Sequence, residues 1–502
     1  MNEESARLHR LETLKTAGLD PYPARVERTH TVAAFLEAFD GMLETKGEAV
    51  LTGRLRTVRK HGGLTFAQLE DGTGLVQIAL RRDAVGEEAY AFFHATVDMG
   101  DFVEARGVAF VTKKGEKTLD ASAVRVISKS LLPMPEKWHG LTDVEARFRQ
   151  RYLDLISNER TRHIFRIRAA MLSAFRRYLD ERGFLEVETP VLQIVPGGAS
   201  ARPFITHHNA LDADLYLRIA PELYLKRLLV GGYERVYEVA RCFRNEGIDH
   251  THNPEFTQIE AYAAYMDYRE LMELVRGMVV AGIRAAGLDP AAVPFKDDVL
   301  DFTNIGTVTF RDVLKQYAKV DLDENTTREQ IAKTAVKLGV PVEKTDSHGT
   351  IVDNIYKHFV RPNIVQPVFI VDYPAEITPL AKRKPEDPRL LEMFQLVYGR
   401  GVENVKAFSE LNDPLDQEAR FKEQEEARAG GDEEAQFADD DFVTALKHGM
   451  PPAAGFGIGI DRFAATLADV HALKEVILFP TLKPLPREES GAEDEDEEDA
   501  AN

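Results

Sequence analysis

The 502-residue chain holds a single cysteine, Cys242. One thiol excludes an intramolecular disulfide and any cysteine-cluster metal centre, and it suits a reducing compartment. No apolar run approaches the roughly 18 residues a membrane span needs. The charged N-terminus, MNEESARLHRLETLKTAGLDPYP, lacks the apolar core of a signal peptide. The P-loop and the dinucleotide-binding glycine fingerprint are also missing. Positive charge is short: 63 Lys and Arg face 83 Asp and Glu, a formal net of −20. Bulk charge therefore excludes a basic nucleic-acid coat. The deficit is uneven, because residues 488–502 hold nine acids and no base, leaving −20 + 9 = −11 elsewhere. That tail reads as disordered and solvating. The whole reads as a cytoplasmic chain without a membrane partner.

At about 150 residues per domain, the length allows three domains, or a small one beside a large one. Over 1–48, Leu8, Leu11, Leu14 and Leu19 recur at helical spacing until Asp20-Pro21-Tyr22-Pro23 ends the run. This predicts an N-terminal helical arm. The period then changes: residues 50–60, 64–70, 74–80, 101–112 and 117–128 alternate as strands around a helical piece at 86–97. The pattern predicts an OB-type β-barrel over 49–130, a fold that often binds oligonucleotides on one face. Arg54, Arg56, Arg59, Lys60, Arg81 and Arg82 against Glu70 and Asp71 give residues 51–82 a local +4. A basic barrel on an acidic chain suits a nucleic-acid module; a structural barrel with solvated charges is the alternative. A Pro-containing linker covers 131–146. The region 147–486 opens on an amphipathic helix (Ile164, Ile167, Met171, Leu172, Phe175, Leu179) and a strand at 184–192. Strand patterns follow at 236–243, 255–265, 368–373, 395–411 and 453–460. The fold class is α+β, with a mainly antiparallel sheet and flanking helices in the large domain. Helical segments at about 268–365 read as an insertion, and 487–502 is the acidic tail.

Three clusters bear chemistry. Arg462 follows the glycine-rich strand of GFGIGIDR (455–462) on the first turn of a helix, where its planar fork can reach phosphate oxygens. Arg244 and Glu246 open the charged loop 244–254, which brings His250 and His252, with Phe256 on the return strand. Each alone reads as a surface ion pair or a core aromatic. An anion-binding arginine, an acceptor for an amino group and an aromatic face on one hairpin favour a nucleotide site. The third cluster is acidic: Glu222, Glu260, Glu403 and Glu410. Such acids repel unless they hold metal ions or a cationic ligand. Glu403 and Glu410, seven apart, would face opposite ways on a regular strand, so a bend, bulge or turn near Ala407 is required.

In this order, FLEVETPVL with Pro190, FRNE with its loop, and GFGIGIDR resemble motifs 1, 2 and 3 of the class II aminoacyl-tRNA synthetases. A barrel ahead of that core resembles the subclass IIb layout. PGGASARPFITHHNALDADLYLRIAPELYLKRLLVGG, FRNEGIDHTHNPEFT and FSELNDP are similar to the bacterial-type lysyl-tRNA synthetases, and the likeness runs over nearly the whole chain. The resemblance implies a homodimer, with Pro190 in its dimer motif, that uses ATP and Mg2+ to convert L-lysine to lysyl-adenylate and pyrophosphate. Lysine then passes to the 3′ end of tRNA(Lys). By the same carry-over, Arg244 and Arg462 are catalytic and grip the α- and γ-phosphates, and His252 also faces the γ-phosphate. Glu246 meets the adenine amino group and Phe256 its face. Gly198, Glu222, Glu260, Tyr262, Lys406, Phe408 and Glu410 form the lysine pocket, and Glu403 and Glu410 match the magnesium ligands. Aspartate enzymes carry arginine where Glu410 stands, and the aspartate and asparagine enzymes carry glutamine where Glu222 stands. Two carboxylates there fit a side-chain ammonium. Lys406 departs from a family asparagine that touches the substrate carboxylate; it either pairs with that carboxylate or enters the ammonium pocket itself. In the barrel, Phe66 and Gln77 match residues that stack on and bond the central anticodon base. Glu116 is a looser match, and Arg54 and Arg59 are expected on phosphates. The rivals are an aspartyl- or asparaginyl-tRNA synthetase, a lysyl-transferring paralogue without a barrel, and a non-catalytic RNA-binding descendant.

Overall fold

The alternating segments form strands and the periodic ones helices. The computed structural model describes residues 2–134, 141, 143–430 and 435–484. The acidic tail and part of the expected linker lie outside them. The chain forms two compact units, Met1–Thr142 and Asp143–Asn502.

The first unit is a closed barrel of β1 (Glu48–His61), β2 (Leu64–Glu70), β3 (Leu75–Arg81), β4 (Phe102–Val111) and β5 (Lys117–Ser128), in the order β1-β2-β3-β5-β4. Side chains alternate across each strand. On β2, Thr65, Ala67 and Leu69 are buried while Phe66, Gln68 and Glu70 are half-buried. Val32, Phe35 and Phe39, from two short helices at Val32–Glu37 and Phe39–Thr45, pack into the same core.

The second unit is built on eight strands: β6 (Leu185–Glu186), β10 (Arg235–Phe243), β11 (Glu255–Ala264), β14 (Gly306–Thr309), β15 (Val368–Val371), β16 (Met393–Tyr398), β17 (Val402–Ser409) and β18 (Ala453–Gly459). Their spatial order is β14-β15-β16-β17-β18-β11-β10-β6. Only the β10–β6 and β14–β15 pairings are parallel. The remaining strands form a small sheet of β7 (Leu192–Gln193), β8 (Ile205–His208) and β9 (Ala213–Leu217), and a hairpin of β12 (Val293–Phe295) and β13 (Asp298–Leu300). One face of the large sheet is apolar. Ile259, Ala261, Val405, Ala407, Phe456 and Ile458 pack there with side chains of helices Glu159–Asp180, Tyr268–Ala285 and Ile460–Leu467. Each large aliphatic buried this way is worth about 1.5–3 kcal/mol. Alternation turns Gln258, Glu260 and Tyr262 to the other face, which carries the site.

Three segments differ from the pattern reading. Residues 184–192 form no continuous strand: β6 and the start of β7 are two-residue pieces on either side of Pro190, which has no N–H to offer a ladder. Residues 395–411 are a hairpin, because Gly399, Arg400 and Gly401 all adopt positive φ and reverse the chain. The stretch 268–365 is not one insertion. Its first helix places Leu271, Val275, Met278 and Val279 in the central core, and β14 is the edge of the main sheet. The helical segments from Phe310 to Val360 pack in a second core with helix Glu222–Val230.

Candidate active site

The floor of the site follows from strand register. One row runs Gln395 (β16), Lys406 (β17), Gly457 (β18), Glu260 (β11). The next runs Met393, Phe408, Gly455, Tyr262. Gly455, Gly457 and Gly459 alternate along β18, so the middle of the floor is bare of side chains and a ligand can lie on it. At Gly455 a Cβ would stand 2.3 Å from Tyr262 Cδ1 and 2.6 Å from Glu410 Oε1, so only glycine fits. Above the floor is a cavity of about 500 Å³. Gly198, Glu222, Arg244, Glu246, His252, Phe256, Glu260, Tyr262, Glu403, Lys406, Phe408 and Arg462 all line it. Twelve residues singled out in sequence thus meet in one cavity.

Its inner end is acidic and closed. Lys226, one helical turn after Glu222 and fully buried, was missed in the sequence. Its Nζ lies 2.6 Å from Glu222 Oε1 and 2.5 Å from Glu410 Oε2. The i,i+4 spacing was the available signal. Burial favours a neutral amine, but the two carboxylates hold this ammonium above the ordinary lysine range. Glu260 accepts from Gln258 Nε2 at 2.6 Å and from Tyr262 Oη at 3.0 Å. Burial, reinforced by Glu222, pushes its carboxyl well above the ordinary range; Tyr262, Lys226 and Arg244 oppose the shift. Burial likewise raises Glu410, with Lys226 opposing. Three carboxyl groups share one ammonium here, and a second cation entering among them would relieve the upward shifts of Glu260 and Glu410.

The other end is cationic. Arg244, just past β10, stacks its guanidinium 5.0 Å from the Phe256 ring centroid. Arg462 sits in the first turn of helix Ile460–Leu467 and donates to the Glu403 carbonyl at 3.0 Å. Asp461 beside it is occupied by the Thr257 amide and by Arg168. His252 is fixed by Asp249, whose carboxylate accepts from the His252 amide at 2.7 Å and lies 3.0 Å from Nδ1. Although burial opposes it, these bonds and those from Thr251 hold the Asp249 carboxyl below the ordinary range. Lys406 lines the cavity, and of the charged groups around it Glu222 acts on it most strongly. The walls desolvate it and Arg244 repels it, which holds its ammonium below the ordinary range despite Glu222, Asp353 and Glu403.

The expected pairing of Glu403 with Glu410 does not form. The irregularity lies at Asn404, which β17 inserts between Glu403 (opposite Val397) and Val405 (opposite Leu396), and not near Ala407. This bulge turns Glu403 to the cavity. Glu410, 1% exposed, lies at the closed acidic end against Lys226, and Arg361 Nη1 stands 3.6 Å from Glu403 Oε2. Among the described residues no three His, Cys, Asp or Glu are grouped to hold a metal ion. The two glutamates do not fit a shared magnesium ion.

Pro190 is exposed, and the preceding Thr189 donates to Glu238 at 2.6 Å. In the barrel, Phe66 and Gln77 are diagonal neighbours, since Phe66 pairs with Ala79 and Gln68 with Gln77. Gln77 Nε2 donates to Thr118 Oγ1 at 2.9 Å, and Thr118 Oγ1 donates to the carbonyl of the exposed Glu116 at 3.1 Å. Arg59 lies exposed opposite Phe66. Arg54 is turned away from the phosphate role expected of it: its guanidinium covers the Phe102 ring at 4.3 Å and donates to the Gly100 carbonyl.

A glycine-floored antiparallel sheet with Arg244 and Arg462 at one end of its cavity has the form of a class II synthetase core. The family described as tRNA synthetases class II (D, K and N) matches residues 143–483, and the OB-fold nucleic acid binding domain matches 49–127. The chain is 48% identical to a lysine–tRNA ligase of Pelotomaculum thermopropionicum over 95% of this chain and 94% of that one. It is 49% identical to that of Moorella thermoacetica, over 96% and 97%. It is 48% identical to that of a Roseiflexus species, over 96% and 99%. Within the class II synthetases, the chain belongs to the lysine–tRNA ligase family.

Proposed function

We propose that the protein is a lysine–tRNA ligase: L-lysine and ATP give lysyl-adenylate and pyrophosphate, and lysine then passes to the 3′ end of tRNA(Lys). The observation that carries this is the polarity of the cavity. A substrate with an ammonium at one end and a carboxylate at the other lies along the bare floor with its ammonium at Glu222, Glu260, Tyr262 and Glu410. Phe408 packs on its methylenes and Gly198 lines the pocket beside Glu222. Lys406 and Arg244 take the carboxylate and the α-phosphate it attacks. Arg462 and His252 hold the outer phosphates, and Glu246 and Phe256 hold adenine. No covalent enzyme intermediate is required: positioning and electrostatic stabilisation of in-line displacement suffice. Magnesium enters this reading as the counter-ion of ATP. An aspartate or asparagine side chain would place no cation among three carboxylates.

On the barrel, Phe66, Gln77 and Glu116 read the anticodon, with Arg59 on its backbone. The protein acts as a homodimer in the cytoplasm. Exposed Leu185, Val191, Leu192 and Ile194 around Pro190 supply the apolar surface that self-association would cover. No helix among the described residues is long and apolar enough to cross a membrane. ATP–pyrophosphate exchange with lysine, aspartate and asparagine in parallel tests the activation step. Lysine alone is expected to support exchange; exchange with either of the others overturns the reading.

A further inference from the structure

On the barrel, an exposed histidine stands beside Phe66 and has no role in the reading above. In an antiparallel pair, residues opposite each other share a face. Thr57, Arg59 and His61 of β1 lie opposite Gln68, Phe66 and Leu64 of β2, and Gln68 in turn lies opposite Gln77 of β3. Phe66 therefore has Gln77 diagonal to it on one side and His61 diagonal to it on the other. The His61 ring lies 6.4 Å from the Phe66 ring, centroid to centroid, with the planes at 62°. His61 ends β1 at the turn into β2, where Gly62 takes positive φ. It is exposed, and among the described residues neither of its ring nitrogens has a hydrogen-bond partner. Packing for stability would bury such a ring, whereas this one stands in solvent. Of the six basic side chains between residues 51 and 82, five meet an acid or a ring of the same unit. Arg59, opposite Phe66, meets neither among the described residues. In barrels of this kind, the turn after the first strand and the face of the second and third strands hold single-stranded nucleic acid. An exposed ring there offers a π-face on which any base can stack.

We propose that His61 is a second stacking platform: the base next to the one on Phe66, on the side away from Gln77, lies on the His61 ring, and Arg59 meets the phosphate between the two nucleotides. The inference rests on the reading of the barrel as the anticodon module, so its ligand is an unpaired base flanking the central one. The test is equilibrium binding of the full chain to tRNA(Lys) at one fixed salt concentration, because phosphate contacts make affinity salt-dependent. His61→Ala, at an exposed position that leaves no buried hole, is expected to weaken binding about tenfold, the loss of one base–aromatic stack. His61→Phe keeps the π-face and is expected to bind within about threefold of wild type. Two further tRNAs each carry an abasic nucleotide, one on either side of the central anticodon base. With one of them, wild type and His61→Ala should bind alike, because the base that His61 holds is gone. His61→Ala within about twofold of wild type, His61→Phe as weak as His61→Ala, or a difference that survives with both abasic tRNAs overturns the inference. Phe66→Ala separates the two failures. Weaker binding by Phe66→Ala beside an unaffected His61→Ala removes this inference alone. No effect from either removes the anticodon reading of the barrel, and this inference with it.

Discussion

The three glycines of β18 allow stability and activity to be separated within one strand. None of the three has positive φ, so alanine is conformationally allowed at each. A methyl at Gly455 would stand 2.3 and 2.4 Å from the Tyr262 ring, which is buried and hydrogen-bonded to Glu260. Overpacking of that kind costs about 1–3 kcal/mol. A methyl at Gly457 meets nothing closer than Glu260 Cγ at 3.6 Å, and at Gly459 nothing closer than Asn404 Oδ1 at 3.7 Å. These are ordinary contacts, and the loss of glycine's unfolded-state freedom stabilises by about 0.4–1 kcal/mol. Gly457, however, separates Lys406 from Glu260 at the centre of the floor. Its new methyl lifts a substrate by about 1 Å or more, and such a displacement costs about a hundredfold in rate. Gly457→Ala is therefore expected to match or exceed wild-type stability in urea while its lysine-dependent pyrophosphate exchange falls about a hundredfold. Gly455→Ala should lose both. Gly457→Ala with wild-type exchange, or with exchange lost only in proportion to unfolding, would refute the bare-floor account.

Other consequences follow from the buried and half-buried charges. Lys226→Met strands Glu222 and Glu410 without their cation and should cost about 3–5 kcal/mol in urea unfolding; adding Glu410→Gln should recover part of it. A loss under about 1 kcal/mol would show that no buried ion pair was broken. His348 lies 2.7 Å from Glu376 and 2.9 Å from the Asn325 carbonyl, and the bond to Glu376 raises its pKa against the effect of burial. A raised folded-state value stabilises fully below about pH 6.5 and loses that stabilisation as pH climbs through the folded-state value. Wild type should thus exceed His348→Gln in stability at pH 5.5 by about 1 kcal/mol or less, given solvent screening, and by less at pH 8.5. A gap that is constant or wider at pH 8.5 would contradict the assignment.

Local chemistry made much of the fold and site legible. Period-two alternation placed the barrel strands, β10, β11 and β18, and the helix after β18 carries Arg462 where the sequence put it. What escaped depends on contacts remote in sequence or on single-residue irregularities. Asn404 looks like any strand residue, yet its insertion turns Glu403 to the cavity; its side chain is 4% exposed and without a hydrogen-bond partner. Nothing local marks Lys226, because the partner that closes over it, Glu410, lies far along the chain. Asp353 and Lys357 line the cavity from a segment read as an insertion, with no motif to mark them. Arg54 has the charge of a phosphate contact, but Phe102, its register partner on the neighbouring β4, claims it.

The claim tested most directly is that the acidic end selects a side-chain ammonium. L-Norleucine has lysine's apolar length without the ammonium. A pocket whose buried polar groups are left unpaired rejects such an analogue by about 10⁴-fold in kcat/KM. Pyrophosphate exchange with lysine and norleucine side by side should show that discrimination. Comparable activation of norleucine, or a difference near tenfold, would mean that Glu222, Glu260 and Glu410 do not receive the substrate's cation.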